Sequence, residues 1–220
     1  MLKIEKTVLP SPAQWEIIIE GMRNPMNSWH LSDSCTEHIE NPETLNTADF
    51  AFHLGDADHK LMQNLAKGGA VHAKYRRMIP VFLTINAPLY WWKEFDTYKV
   101  GTVANSCSTM HKIHAKPFTM DDFSCEHLFP EVKDAFENTI VKALNVARDC
   151  FIRKPHRKDY WWQMIQLLPT SYKQKRTVML NYEVLVGIYR DRKDHKLDEW
   201  HTFCDWIREL PYSELITEEE

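Results

Sequence analysis

The spacing of apolar residues changes period along this chain, and those changes predict its elements. Residues 75–87 alternate apolar and polar positions and are rich in β-branched side chains, which predicts a strand. Pro80 inside that run predicts a sheet edge or a bulge, because proline has no N–H for the ladder. Residues 56–67 set Leu61, Met62 and Leu65 on one side and stop at Gly68-Gly69, the pattern of a helix ended by glycine. Over 131–152, Val132, Ala135, Phe136, Ile140, Ala143, Leu144 and Ala147 recur at helical spacing, and Pro155 closes the run. Further helices are predicted over 159–167, stopping at Leu168-Pro169, over 176–192 with Val178, Leu180, Leu185 and Ile188 inward, and over 197–210 before Pro211. Residues 13–22 fit a strand or a short helix. The segment 24–50, rich in Asn, Ser, Thr, Asp and Pro, reads as loop with turns, and 218–220 as a solvated acidic tail. With no repeat and no Gly/Ser linker, strands early and helices late predict an α+β fold in one domain, 1–220.

Composition narrows the partners. A chain of 220 residues, 44% hydrophobic, is long enough for one large core. A formal charge of −4 carries no basic footprint and argues against a nucleic-acid polymer, while leaving room for a small anion in a local pocket. No apolar run approaches the length of about eighteen residues that spans a bilayer. The start, Met1-Leu2-Lys3-Ile4-Glu5-Lys6, lacks the apolar core of a signal peptide, so a cytoplasmic location is expected. Cys35, Cys107, Cys125, Cys150 and Cys204 are widely spaced and form no CxxC pair, which favours free thiols in a reducing compartment. Eleven histidines include the close pairs His53/His59 and His111/His114, but no further ligand stands at a recognised spacing, so no metal is expected. The doublets Trp91-Trp92 and Trp161-Trp162 read first as core or subunit-interface packing and second as ring-stacking platforms.

Candidate chemistry gathers between residues 87 and 111. The aromatic run Tyr90-Trp91-Trp92, Phe95 and Tyr98 follows the predicted strand, and Asn105-Ser106-Cys107-Ser108-Thr109 follows that. This order suits a flat ring held against a sheet, with neutral hydrogen bonds to a phosphate or ring edge. A Ser/Thr/Asn turn between elements is the plainer reading of 105–109. Lys99 adds a cation. Cys107 has no local activating signature, so it reads as a small side chain before it reads as a nucleophile. Arg190, Arg192 and Lys193 end a predicted helix, where cations favour the dipole; an arginine there can also bind a planar group bidentately.

Two blocks of this chain resemble the flavin-dependent thymidylate synthases. That family has a His at the start of a strand, a Pro sixteen positions on, and then the motif R-H-R-x7-S. Here His72 and Pro88 keep the spacing, the motif falls on Thr97-Tyr98-Lys99, and seven residues later stands Cys107, with Ser108 one beyond. Downstream the family has Leu-Pro, an Asn twelve residues after the Pro, and an Arg eleven further. This chain has Leu168-Pro169, Asn181 and Arg192 without a gap. The resemblance covers about 70–112 and 165–200. It implies a thymidylate synthase-complementing-protein-like fold with an antiparallel sheet, acting as a cytoplasmic homotetramer. It also implies conversion of dUMP to dTMP, a methyltransferase reaction using methylenetetrahydrofolate and NADPH through FAD. By the same resemblance Arg192 would hold and polarise the uracil. Glu94, Lys99, Ser106, Cys107 and Ser108 would meet the nucleotide, and His72, Lys74, Thr97, Tyr98, Lys99, Asn105, Asn181 and Gly187 the flavin.

The family's Arg-His-Arg keeps a positive charge here only at Lys99. An Arg beyond the motif serine is replaced by Thr109 or Met110, and one before the Leu-Pro by Ile165. Phosphate contacts therefore fall to Lys99, Lys112, Lys173 or Lys175, or nucleotide binding is altered. The alternative reading is a nucleotide- or flavin-binding protein on the same fold without synthase activity, or an enzyme modifying a related pyrimidine nucleotide.

Overall fold

The computed structural model describes residues 1–39 and 49–217. A four-stranded antiparallel sheet has the order β1-β4-β6-β5, from β1 (Lys3–Val8), β4 (Pro80–Pro88), β5 (Val103–Ser106) and β6 (Lys173–Asn181). A separate antiparallel hairpin pairs β2 (Cys35–Ile39) with β3 (Asp49–His53), setting Cys35 opposite His53 and Glu37 opposite Ala51. The helices are α1 (Pro12–Arg23), α2 (Asp56–Lys67), α3 (Leu89–Phe95), α4 (Pro130–Phe136), α5 (Lys142–Arg153), α6 (Lys158–Leu167), α7 (Tyr182–Arg192), α8 (Asp198–Arg208) and α9 (Glu214–Thr217). No helix among the described residues is long and apolar enough to cross a membrane. All five cysteines are free thiols.

Of the two readings of residues 13–22 the helical one holds, and several other expectations need correction. Residues 13–22 are helical: Ser11 and Gln14 form a capping box, and Pro12 stands where a helix needs no N–H. The segment 24–50 is not only loop, because it carries β2 and the start of β3; residues 40–48 of it, like the tail 218–220, lie outside the described residues. β4 is an interior strand, not an edge. Pro80 is tolerated because it is the first residue of that strand. The helix predicted over 176–192 is two elements. Val178 and Leu180 are buried with Gln174 at a period of two, so β6 runs to Asn181, whose side chain then accepts from the Val184 N–H and starts α7.

The chain divides into two compact units, and each has its own core. The first comprises Met1–Glu5, Thr84–Thr97 and Ala104–Val178. Its helices α4 and α5 run on through a π-helical turn (Glu137–Val141), and their apolar stripe buries Val141, Leu144 and Ala147 with Phe118, Phe123 and Met164. On α3, Trp91, Trp92 and Phe95 are at most 1% exposed. They pack on one another with ring centroids 4.9–5.4 Å apart. These rings are therefore core, and the expected platform for an external flat ring is not formed by them. Trp92 donates to the Gln174 carbonyl, and Arg176 lies 4.3 Å over its ring while pairing with Asp96 at 2.7 Å.

The second unit comprises Lys6–Leu83, Tyr98–Val103 and Met179–Glu220. Its polar centre is Asp58 on α2, fully buried and accepting from Arg23 Nε (2.5 Å), the hydroxyls of Ser32 (2.8 Å) and Ser34 (2.7 Å), and the backbone N–H groups of Asp33 and Ser34. Burial alone would raise the Asp58 carboxyl; the Ser34 and Ser32 hydroxyls and the Arg23 guanidinium outweigh it and hold it below the usual carboxylate range. Asp33 in turn accepts from the Ala57 and Asp58 N–H groups at the start of α2. A Cβ on Gly55 would stand 2.2 Å from the Asp33 carboxyl carbon, so this cap requires glycine there.

Candidate functional site

In the second unit the end of α7 meets the segment that follows α3. Arg192 Nε donates to the Tyr98 hydroxyl at 2.9 Å. The guanidinium lies 4.8 Å over the Trp200 ring and 5.6 Å over the Tyr98 ring. The two rings meet edge to face at 6.2 Å, and Trp200 is fully buried. Burial raises the Tyr98 phenol above its ordinary value against the opposing pull of Arg192; hydrogen bonding to Asp191 adds to the rise. The phenol therefore stays neutral at physiological pH, with its oxygen available to accept from Arg192. Arg192, fixed by one edge and one face, is a guanidinium held in one orientation.

The other expected residues of this unit are His72, Lys74, Lys99, Asn181 and Gly187. His72 is exposed, and its ring reaches within 3.0 Å of a Cβ built on Gly68. Lys74 opens a 3-10 turn (Lys74–Met78) and is exposed, as is Lys99. Asn181 uses its amide oxygen as the cap of α7. Gly187 lies inside α7, and a Cβ there would meet nothing within 4 Å.

The first unit holds Glu94, Thr97, Asn105, Ser106, Cys107 and Ser108. Thr97 donates to the Glu94 carbonyl at 2.8 Å and closes α3. Asn105 and Ser106 belong to the exposed edge strand β5, so this part of 105–109 is strand and not turn. Ser108 makes the turn: its hydroxyl accepts from the N–H groups of Met110 (3.2 Å) and His111 (2.9 Å). Cys107 pairs backbone to backbone with Lys175, and its carbonyl accepts from Gln174 Nε2 at 2.7 Å.

These contacts form one wall of a cleft of about 350 Å³ in this unit, where Cys107, Ser108 and Thr109 face Lys116, Lys173 and Lys175. Lys175 is paired with Glu5 at 2.7 Å and Lys116 with Asp122, whereas no ion pair among the described residues includes Lys173. The cleft thus presents hydroxyl and thiol groups beside the Lys173 ammonium, with the carboxylates of Asp121 and Asp122 also in its wall. Hydroxyls with an ammonium group can hold an oxyanion, and the Asp121 carboxylate opposes it. Sequence reasoning named Lys173 and Lys175 but missed Asn86, Lys116, Tyr172 and Gln174, which reach the cleft only through the fold. It also missed Trp200 beneath Arg192, for which the chain carries no local signal.

The fold is that of the flavin-dependent thymidylate synthases: helices with a four-stranded antiparallel sheet. No family model matches the chain, and no curated protein does. Among solved structures, flavin-dependent thymidylate synthase ThyX from Helicobacter pylori, complexed with FAD and dUMP, is similar with a TM-score of 0.61 and 14% identity. That match covers 99% of this chain and 97% of the other. A second structure of the H. pylori protein, also with FAD and dUMP, gives 0.65 and 14%, covering 99% and 96%. At this identity the likeness establishes the fold alone.

Proposed function

We propose that this chain is a flavin-dependent thymidylate synthase-like enzyme that methylates dUMP to dTMP, with methylenetetrahydrofolate and NADPH as co-substrates and FAD as cofactor. One observation carries the reading: Arg192 and Tyr98, from the two sequence blocks that bear the resemblance, touch each other at 2.9 Å. In this reading Arg192 presents its guanidinium to the pyrimidine edge, steadied by Tyr98 and Trp200. By the resemblance, Glu94, Lys99, Ser106, Cys107 and Ser108 are the residues offered to the nucleotide. His72, Lys74, Thr97, Tyr98, Asn105, Asn181 and Gly187 receive the flavin, whose redox chemistry the bound cofactor supplies.

Gly187 supports the flavin reading. A glycine inside a helix costs about 1 kcal/mol relative to alanine, and at Gly187 no internal packing offsets that cost, since the space beside it is open. Close approach of a planar ligand to bare helix backbone gives a reason for it. Gly187→Ala should therefore stabilise the flavin-free protein by up to about 1 kcal/mol while weakening FAD binding. Both changes are measurable by thermal melting and flavin fluorescence. A homotetramer with sites completed between subunits belongs to the same proposal.

The deciding experiment is to purify the protein, record flavin absorbance, titrate dUMP against flavin fluorescence, and assay dTMP with methylenetetrahydrofolate and NADPH. Arg192→Ala should weaken dUMP at least tenfold, on the order of 1.4 kcal/mol or more; an unchanged dissociation constant removes Arg192 from the site. The replacement of Arg-His-Arg by Thr97-Tyr98-Lys99, with Thr97 turned onto the Glu94 carbonyl, favours one second reading. That reading is a flavin- or nucleotide-binding protein without synthesis, and it predicts binding of both ligands and no dTMP.

A further inference from the structure

The second unit contains a cleft of about 310 Å³ beside α1 that the proposed function does not use. Arg23 lines it and is only 4% exposed. Its Nε donates to Asp58 at 2.5 Å, and one terminal nitrogen donates to the Ser28 carbonyl and hydroxyl at 3.2 and 3.3 Å. The other terminal nitrogen has no partner among the described residues, and it is not sealed inside the protein. A desolvated guanidinium with a donor left over calls for an acceptor in the space it lines. Ser32 is the reverse case. Its hydroxyl donates to Asp58 at 2.8 Å and no described residue donates to it, so a lone pair stays open. Ser34 is used on both sides, donating to Asp58 and accepting from the Gly55 N–H at 3.0 Å. Arg23 Nε and Ser32 Oγ bind different oxygens of the Asp58 carboxylate, so the open donor and the open acceptor are anchored to one buried group.

Charge and shape decide what can enter. The Arg23 charge is met by Asp58, while Glu16 and Glu20 line the same cleft, one helical turn apart on the exposed side of α1. The cleft is therefore negative overall, which opposes a carboxylate or phosphate at the open Arg23 nitrogen. A simple cation brings that nitrogen no acceptor. Aromatic carbon makes up the rest of the lining. Trp29 is 48% exposed with its indole N–H already given to Asn24 at 2.7 Å, and Phe52 is stacked on Trp15 at 5.4 Å. The volume lies at the small end of ligand sites and suits one ring. A neutral group with a carbonyl oxygen beside N–H donors, carried on a flat ring, answers all of these. We infer that this cleft binds a small aromatic carboxamide. Its carbonyl oxygen accepts from Arg23, its N–H groups donate to Ser32 and to the rim carboxylates, and its ring lies on Trp29 and Phe52. The site is independent of the flavin and nucleotide reading.

The test uses the full chain and benzamide as probe, followed by calorimetry and by the Trp29 indole N–H resonance, identified from its loss in Trp29→Phe. Saturable binding is expected. Benzoate, the anion of the same shape, and benzamidine, the cation without a carbonyl, should each bind at least tenfold more weakly. Ser32→Ala should weaken benzamide at least threefold. Trp29→Ala should weaken it several-fold with the melting temperature unchanged, since that ring is half exposed. In the double variant Glu16→Gln, Glu20→Gln, benzoate should gain at least threefold, because the charge that opposes it is gone. Arg23 itself is left in place, since its replacement would strand the buried Asp58 carboxylate. The inference is overturned if benzamide fails to saturate the protein or if benzoate or benzamidine binds the parent as tightly. It is also overturned if Ser32→Ala and Trp29→Ala, both folded by circular dichroism, bind benzamide as the parent does. None of these outcomes depends on whether FAD or dUMP binds, so failure here and failure of the proposed enzyme are told apart.

Discussion

The two clefts have similar volumes, about 350 and 310 Å³, and differ in how their charged residues are paired. In the first unit, lysines stand beside hydroxyls on strand and turn, and two of the three ammonium groups are already paired with carboxylates. In the second unit the pairing is internal: Arg23 and Asp58 neutralise each other below the surface, and the hydrogens of the lining serines point toward that pair. Cleft chemistry is thus set less by which charged residues line the wall than by where their hydrogen bonds are directed. A composition count would place arginine in the second cleft and conclude that it takes anions. The hydrogen bonds narrow that to a single terminal nitrogen of Arg23, since Nε is turned to Asp58 and the other terminal nitrogen to Ser28.

The largest test of this contrast is Asp58→Ala. It leaves Arg23 buried without its carboxylate and should cost about 3–5 kcal/mol of stability in a denaturant melt; a loss below about 1 kcal/mol would mean that the pair does not organise the second unit. Acid should act on the same group. The folded-state carboxyl is held below its ordinary value of 3.8, so its stabilisation is complete above that value and disappears as the pH falls through the lower, folded one. Melting temperature followed downward from pH 5 should therefore drop steeply only below about pH 4, and Asp58→Asn should flatten that drop. In the first cleft, Lys173→Ala should weaken inorganic phosphate or dUMP several-fold, about 1 kcal/mol, and reduce the salt dependence of binding. Glu5→Gln, which releases Lys175, should strengthen the same anion modestly. The smallest expected effect on stability is Glu16→Gln, within about 0.5 kcal/mol, because that carboxylate is exposed. Anion affinity at the first cleft should be unchanged by it.

Much of the helical framework was legible in the chain. The apolar stripe with its Gly68-Gly69 stop marks α2 at Asp56–Lys67, and the long repeat ending at Pro155 marks α4 and α5, though not the π-helical turn between them. β6 was not legible because Val178 and Leu180 satisfy a period of two and, with Leu185 and Ile188, a helical one; only pairing with β4 and β5 separates the readings. The hairpin β2–β3 was hidden by its polar residues, since Thr36, Glu37 and His38 mimic loop composition. For the site, resemblance in two sequence blocks pointed to Tyr98 and Arg192, and their contact became visible only in the fold. Residues such as Trp200 and Gln174 act through positions that neither motif nor period distinguishes from ordinary core.

Asp58 also joins parts of the chain that are distant in sequence: the last turn of α1, the residues 32–34 that lead into β2, and α2 itself. Together with the Asp33 cap on α2, it works as a rivet at the base of the excursion between residues 34 and 55. Substitutions along β2 and β3 can then accumulate while the anchorage, and the helix carrying it, stay in place.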